Sequence, residues 1–273
     1  MNKKLFPEER LELFYNKIKE KKKVHVNELA SQFHMSKSTV RMDLTELESR
    51  GLIKRTHGGA ILQSELIAED GEDMVRSTMG INLRMQENQA EKEAIGQLAA
   101  SLINNGDTIV IDGGSTTQFV GKYLSDKSGL TIITNSFYML PELLPIKDSA
   151  IYLAGGIVYK ENGVLVGDLT NEFISHFSPQ KLILGIDGIS IENGLTVADS
   201  MVPAVASIKR KMIDACSLLI VVCDHTKLGC ICLMPIASLK RVNYLITDDG
   251  APPDMIEEMR ALGVNVMIAP VNK

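Results

Sequence analysis

Residues 33–51 read FHMSKSTVRMDLTELESRG. Val40, Leu44 and Leu47 recur at the spacing of one helical face, Ser36 stands where it can cap that helix, and Gly51 supplies its stop. Just upstream, Val26, Leu29, Ala30 and Phe33 form the apolar face of a shorter helix. Two short helices across the turn His34-Met35-Ser36 make a helix-turn-helix, whose second helix would enter the major groove of DNA. Leu11, Phe14 and Ile18 predict a further helix that starts near Pro7. Downstream, LIKRTHGGAIL reads as a strand, a tight Gly58–Gly59 turn and a return strand. That is a β wing carrying Lys54, Arg55 and His57.

At 100° per residue, the side of the second helix opposite Val40, Leu44 and Leu47 carries Ser38, Met42 and Thr45. Thr39 and Arg41 flank it, and Ser36 and Lys37 stand at its start. Short hydroxyls with an arginine suit close approach to base edges and phosphates. The plainer alternative is a solvated polar face beside an ordinary hairpin. The ordered combination on a basic segment favours double-stranded DNA as the partner.

The charge distribution supports that split. Residues 1–62 hold 13 Lys+Arg against 8 Asp+Glu, and the other 211 hold 16 against 26, for a net charge of −5. A basic head is joined to an acidic body. At 273 residues the chain is long enough for two domains, and 45% hydrophobic with 23% charged is the composition of a soluble globular protein. The longest uniformly apolar run, Leu218–Cys223, is far short of a membrane span, and MNKKLFPEER has no apolar core of a signal peptide. Four cysteines without framework spacing point to reduced thiols and a cytoplasmic location. Cys223, His225, Cys230 and Cys232 fall within ten residues but form no CxxC pair. Buried free cysteine is the commoner case, so no metal is expected.

The stretch from Pro7 to Leu62, ERLELF…VHVNELASQFHMSKSTVRMDLTELESRGLIKRTHGGAIL, resembles the winged helix-turn-helix of the DeoR family of bacterial regulators of sugar metabolism. RTHGGA after the recognition helix is a specific mark. The family usually has two arginines before Asp-Leu, whereas this chain has Arg41-Met42.

Residues 63–90 lack a clear period and read as a linker. From residue 91 to 273 the pattern is α/β. A helix over about Ala90–Ile103 leads to TIVIDGGSTTQFVGKYL, a buried-type strand, a Gly-rich turn and a helix. Strand-like runs recur at LTIITNS, AIYLAGG, KLILGIDG, SLLIVVCDHTK, NYLITDD and VNVMIA, with helical spacing at Val202–Cys216 and Asp254–Leu262. This alternation predicts a largely parallel sheet, whose ligands sit beyond the carboxyl ends of the strands.

Asp112–Thr117, DGGSTT, carries the most chemistry. Glycines let the backbone approach a ligand, and hydroxyls plus the first amides of a helix suit a phosphate. The turn is neither a G-x-G-x-x-G fingerprint nor a Walker A loop, so no nucleotide cofactor is expected. A capped strand-to-helix turn is the structural alternative. Asp112, Gly114, Ser115, Thr116 and Thr117 are the candidates here. Asn135 within Thr134-Asn135-Ser136, Gly155-Gly156, Asp187-Gly188, and Asp224 with Lys227 stand at other strand ends, where hydroxyls of a sugar would find partners.

EKEAIGQLAASLINNGDTIVIDGGSTT, TNS, LAGG, GIDGI, GLT and DHTKLG occur in the order of the DeoR-family effector domain, which is similar in fold to ribose-5-phosphate isomerase. The resemblance implies that Ser115, Thr116 and Thr117 hold an effector phosphate, with Asp187 and Lys227 near the sugar. It further implies a repressor that forms a dimer or tetramer. Where the family usually has glutamates, VADSMVPAVASI offers only Asp199. The isomerases use a DGADE loop. Aligned on Asp187, this chain places Leu184 and Gly188 where that loop has acids. A proton-abstracting base is therefore missing, and a sensor is expected rather than an enzyme.

Overall fold

The computed structural model describes residues 7–21, 23–33, 35–50, 52–56, 59–62, 80–198 and 202–271, in two compact units that meet in sequence between Met79 and Gly80.

The first unit runs α1 (Pro7–Lys21), β1 (Lys23–His25), α2 (Val26–Gln32), α3 (Lys37–Ser49), β2 (Ile53–Thr56) and β3 (Gly59–Leu62). Phe14, Ile18, Leu29, Val40, Leu44 and Leu47 are buried together, which is the set of apolar faces expected from their spacing. Ser36 caps α3 by accepting from the Thr39 amide at 3.2 Å. The wing is a three-stranded antiparallel sheet in the order β1-β3-β2. Gly59, expected in the turn, instead opens the return strand and pairs with Thr56 on one side and His25 on the other. A Cβ there would lie 2.1 Å from the Val24 carbonyl oxygen, so the third strand requires the glycine. Gly51, His57 and Gly58 lie outside the described residues.

The second unit is built on a seven-stranded parallel sheet. Its strands are β4 (Thr108–Ile111), β5 (Thr131–Thr134), β6 (Ala150–Leu153), β9 (Lys181–Gly185), β12 (Leu218–Val222), β14 (Tyr244–Asp248) and β15 (Asn265–Ala269), in the order β15-β14-β12-β9-β4-β5-β6. All seven coincide with the runs singled out above. Alternate residues serve opposite faces, which is why the central strands read as unbroken apolar runs. Val110, Leu182, Leu184, Leu219 and Val221 pack on one side with α8 (Asp168–Ser175), α9 (Val202–Ala215) and α10 (Pro253–Ala261). Ile109, Ile111, Ile183, Ile220 and Val222 pack on the other with α5 (Gln89–Ala100) and α6 (Ser115–Lys122).

Three features depart from expectation. Within the presumed linker, Ile81–Gln86 is a helix, α4, with Ile81 and Leu83 buried; six residues are too few to display a period. The hairpin of β7 (Ile157–Tyr159) and β8 (Val164–Val166), and the antiparallel sheet of β10 (Gly188–Ser190), β11 (Gly194–Val197) and β13 (Met234–Ala237), went unread for the same reason. β6, although as apolar as the buried strands, is largely exposed at the sheet edge. The short helix Leu140–Leu143 completes the set as α7. Among the described residues no helix is long and apolar enough to cross a membrane.

Candidate functional site

On α3, Lys37, Ser38, Arg41, Met42 and Thr45 are exposed and Thr39 is half-buried, with Met42 69% exposed. The outward face is thus the one expected from the helical wheel. Several of its groups are already engaged. The Ser36 hydroxyl lies 2.8 Å from those of both Ser38 and Thr39, and Thr45 donates to the Arg41 carbonyl at 2.9 Å. Arg55 reaches from β2 to α3, where its Nη1 donates to Thr45 Oγ1 at 2.9 Å and its amide to Glu48 Oε1 at 2.9 Å. It therefore braces the wing against the recognition helix rather than standing free. The inner side of α3 carries a feature the sequence reading missed. Buried Asp43 holds the Arg10 guanidinium in a two-pronged ion pair, through Nη2–Oδ1 at 2.7 Å and through Nε, and so ties α3 to α1. The Lys54 side chain, like His57, lies outside the described residues.

In the second unit the strand order reverses between β4 and β9, the crevice where an open α/β sheet receives ligands. Gly113-Gly114 leads from β4 into α6, and the amides of Ser115, Thr116 and Thr117 have no carbonyl one turn behind them. The half-buried Ser115 hydroxyl is the accessible one. Thr117 is fully buried, and its hydroxyl donates back to the Gly114 carbonyl at 3.0 Å. Asn135 is occupied too: its Oδ1 accepts from the Gly113 amide at 3.1 Å and its Nδ2 donates to the Leu165 carbonyl at 3.2 Å. It fastens the turn from β5.

Asp112, expected to face a ligand, is turned into the protein. Its carboxylate, 1% exposed, is ion-paired with Lys209 of α9 and accepts from the Gly185 amide at 3.3 Å. Burial pushes the Asp112 carboxyl above its ordinary value against the opposing pull of Lys209. The role is to clamp β4, β9 and α9 together beneath the turn. Gly155 and Gly156 follow edge strand β6, two strands away from β4. Gly156 has φ 144°, and a Cβ there would fall 2.1 Å from Thr170 Oγ1, so close packing against α8 accounts for it.

Asp187, at the end of β9, accepts from the Ala198 amide at 3.0 Å and stands 3.8 Å from Arg84 Nη1. Arg84 comes from α4, donates to Asn162 Oδ1 at 2.6 Å, and keeps its buried Nε without a hydrogen-bond partner. Beyond β12, Asp224 accepts from the Thr226 amide at 3.1 Å and from Asn88 Nδ2 at 3.2 Å, and the half-buried Lys227 ends the same 3₁₀ turn. Burial pushes the Asp224 carboxyl up, but the Thr226 bonds, Lys92 and Lys227 outweigh it and leave it below its ordinary value. Lys92 is nearly inaccessible, lies 4.0 Å from Asp224, and donates to the carbonyls of Glu87 at 2.6 Å and of Arg84. Arg84, Asn88, Lys92, Asn162 and Lys209 were not legible as site residues, because none stands at the end of a recognisable strand. Asp199 lies outside the described residues.

Burial lowers the Lys92 ammonium to about 8. The folded chain then holds this proton less tightly than the unfolded chain, whose lysine titrates near 10.4. Between those values the unfolded state binds more protons, so stability rises with pH, by up to about 3 kcal/mol in total. Lys92→Met removes this contribution. Urea unfolding at pH 7.5 and 9.5 should show the wild type gaining on Lys92→Met as pH rises; parallel behaviour would place the ammonium in water.

A winged helix-turn-helix with an outward polar recognition helix, joined in sequence to a parallel α/β unit with a Gly-rich turn at its switch point, defines a class of DNA-reading proteins with a sensor. The chain belongs to the DeoR family. Residues 10–65 match the DeoR-like helix-turn-helix domain and residues 87–249 the DeoR C-terminal sensor domain. Transcriptional repressor AccR of Agrobacterium fabrum is 36% identical, over 82% of this chain and 83% of its own length. The glycerol-3-phosphate regulon repressor of Escherichia coli K12 is 34% identical, over 86% of this chain and 88% of its own. A solved ribose-5-phosphate isomerase in complex with phospho-erythronic acid is similar over 50% of this chain and 52% of that chain, with 17% identity and a TM-score of 0.35.

Proposed function

We propose that this protein is a cytoplasmic transcriptional repressor of a sugar-metabolism operon, released from operator DNA when a phosphorylated sugar binds its sensor domain. The observation that carries the reading is the exposed face Lys37, Ser38, Arg41, Met42 and Thr45 on a helix whose opposite face is wholly buried. Lys54 and His57 of the wing complete the DNA surface, and residues 1–62 are the DNA-binding domain. The relatives named repressors support the direction of control, and the one named for a glycerol-3-phosphate regulon supports a phosphorylated effector.

The phosphate is assigned to the amides of Gly114–Thr117 and the Ser115 hydroxyl, where an anion meets the positive end of α6. Arg84, Lys227 and Asp187 take the rest of the effector, with Arg84 Nε as the unspent donor. The protein binds sugar phosphate and does not turn it over: Leu184 is buried in the core and Gly188 is paired in β10, so neither position supplies a base. Incubation with aldose and ketose phosphates should leave both unchanged.

A mobility-shift titration on the DNA upstream of its own gene tests the head. Arg41→Ala should weaken binding by about 1–3 kcal/mol if the contact is to a base. Affinity should also fall steeply between about 50 and 200 mM salt, because counterions are released from DNA on binding. Unchanged affinity together with a flat salt response would remove the DNA-binding assignment. Reading two half-sites at once requires at least two copies, so the functional unit is a homo-oligomer.

A further inference from the structure

The sheet edge departs from the rest of the second unit. β6 leaves Tyr152 and Leu153 exposed, and the following β7 exposes Ile157 to 62% and Val158 to 60%. Leu169, in the first turn of α8, is 68% exposed. Neighbours on a strand point to opposite faces, so the strand side chains line both sides of the sheet edge. Ile157 Cδ1 lies 3.4 Å from the Cβ position of Gly167, beside the start of α8. Leu169 and Phe173 are four apart on that helix, and therefore share a face. The Phe173 and Phe177 rings are 5.1 Å apart, and Phe177 meets Tyr152 of β6 at 5.2 Å. Apolar groups thus run continuously from β7 along α8 and back to the sheet edge.

The strand part of the patch is also uncharged. Ala150–Tyr159 contains no Asp, Glu, Lys or Arg, in a chain that is 23% charged. Charge begins with Lys160 and Glu161 after β7, and exposed Asp168 and Glu172 flank Leu169 on α8. The exposed parts of the five apolar side chains amount to roughly 400–500 Å², at the upper end of what a monomer carries. An apolar strand at a free sheet edge is a surface that proteins ordinarily cover.

We infer that this face, β6 with β7 and the outer side of α8, is where a second copy of the chain docks. The inference rests on the reading of the protein as a homo-oligomer and names the surface that makes it one. A twofold pairing requires a surface complementary to itself. The uncharged apolar edge of β6 and β7 meets that condition, whereas most of this acidic domain would repel its copy. Two such patches remove roughly 800–1,000 Å² from water, and their polar rims bring the total into the range of specific interfaces. Gly155-Gly156 lies between β6 and β7 in sequence, within the stretch that forms the patch.

Sedimentation velocity on the full chain at about 10 µM tests this. The wild type should sediment as a dimer or larger. Val158→Glu and Leu169→Glu, both at exposed positions, should fall to half the mass or less. Leu262→Glu, at an exposed leucine at the end of α10, which leads into β15 at the other edge of the sheet, should keep the wild-type mass. Hydrogen exchange on the wild type at 0.1 and 50 µM needs no variant, and should show concentration-dependent protection in residues 150–159 and 168–177. Folded variants that retain the wild-type mass, or protection confined to other segments, would overturn the interface while leaving the oligomer reading in place. A monomeric wild type would remove the oligomer reading and the interface with it. Neither outcome bears on the mobility-shift test of DNA binding.

Discussion

Ser115→Glu should leave the protein bound to operator at effector concentrations that release the wild type. Ser115 is the half-buried first residue of α6, and its hydroxyl and amide stand at the mouth of the β4–β9 crevice. A glutamate there fills the space of a phosphate and adds a charge of the same sign. Like-charge juxtaposition costs several kcal/mol, and 3 kcal/mol is about a hundredfold in affinity. The carboxylate does not harm the fold, because an acid in the first turn of a helix is favourable. The DNA-binding unit is separate, so operator affinity without effector should match the wild type. Coupling requires effector binding, so release should need at least about 100-fold more sugar phosphate. Calorimetry with glycerol 3-phosphate and a panel of aldose and ketose phosphates, beside a mobility-shift titration, reads both halves. Release at the wild-type effector concentration would place the phosphate elsewhere.

The two halves of that experiment were legible in the sequence to different degrees. The recognition helix could be read in full, because Val40, Leu44 and Leu47 fix which side is buried and Ser36 fixes where it starts. The seven parallel strands were legible because burial on both faces makes each an apolar run bounded by small polar residues. What surrounds the site was not. Asp112 read as ligand-facing because it precedes two glycines, yet its partner Lys209 lies 97 positions away on α9. Nothing local announces a contact of that separation. Thr117 and Asn135 looked like free polar groups, but the turn itself consumes them. Arg84 and Lys92 sit where the sequence is aperiodic or merely helical, and only the folded chain carries them to Asp187 and Asp224. β6 shows the converse limit. Its apolar run is indistinguishable from that of a central strand, and only the strand order reveals that it lies at an edge.

The Asp112–Lys209 pair carries the largest expected effect on stability. Both side chains are buried, and Lys209 Nζ also donates to the Gly185 carbonyl at 2.9 Å. Asp112→Ala removes the carboxylate and leaves the buried ammonium on the Gly185 carbonyl without its countercharge. Breaking a buried pair from one side costs about 3–5 kcal/mol, chiefly because the remaining charge is uncompensated. That is a large share of the roughly 5–15 kcal/mol that holds an ordinary domain folded. The urea midpoint of the second unit should therefore drop sharply, with little change in slope. The reverse single change, Lys209→Met, should cost less. It leaves a carboxyl that burial already pushes up and that protonation can neutralise. The double variant Asp112→Leu with Lys209→Met should recover most of the loss, since replacing both charges by apolar groups of similar volume is often close to neutral. Its stability against the two single variants isolates the pair. A loss below about 1 kcal/mol for Asp112→Ala would mean that water reaches Lys209, and with it the floor of the crevice between β4 and β9.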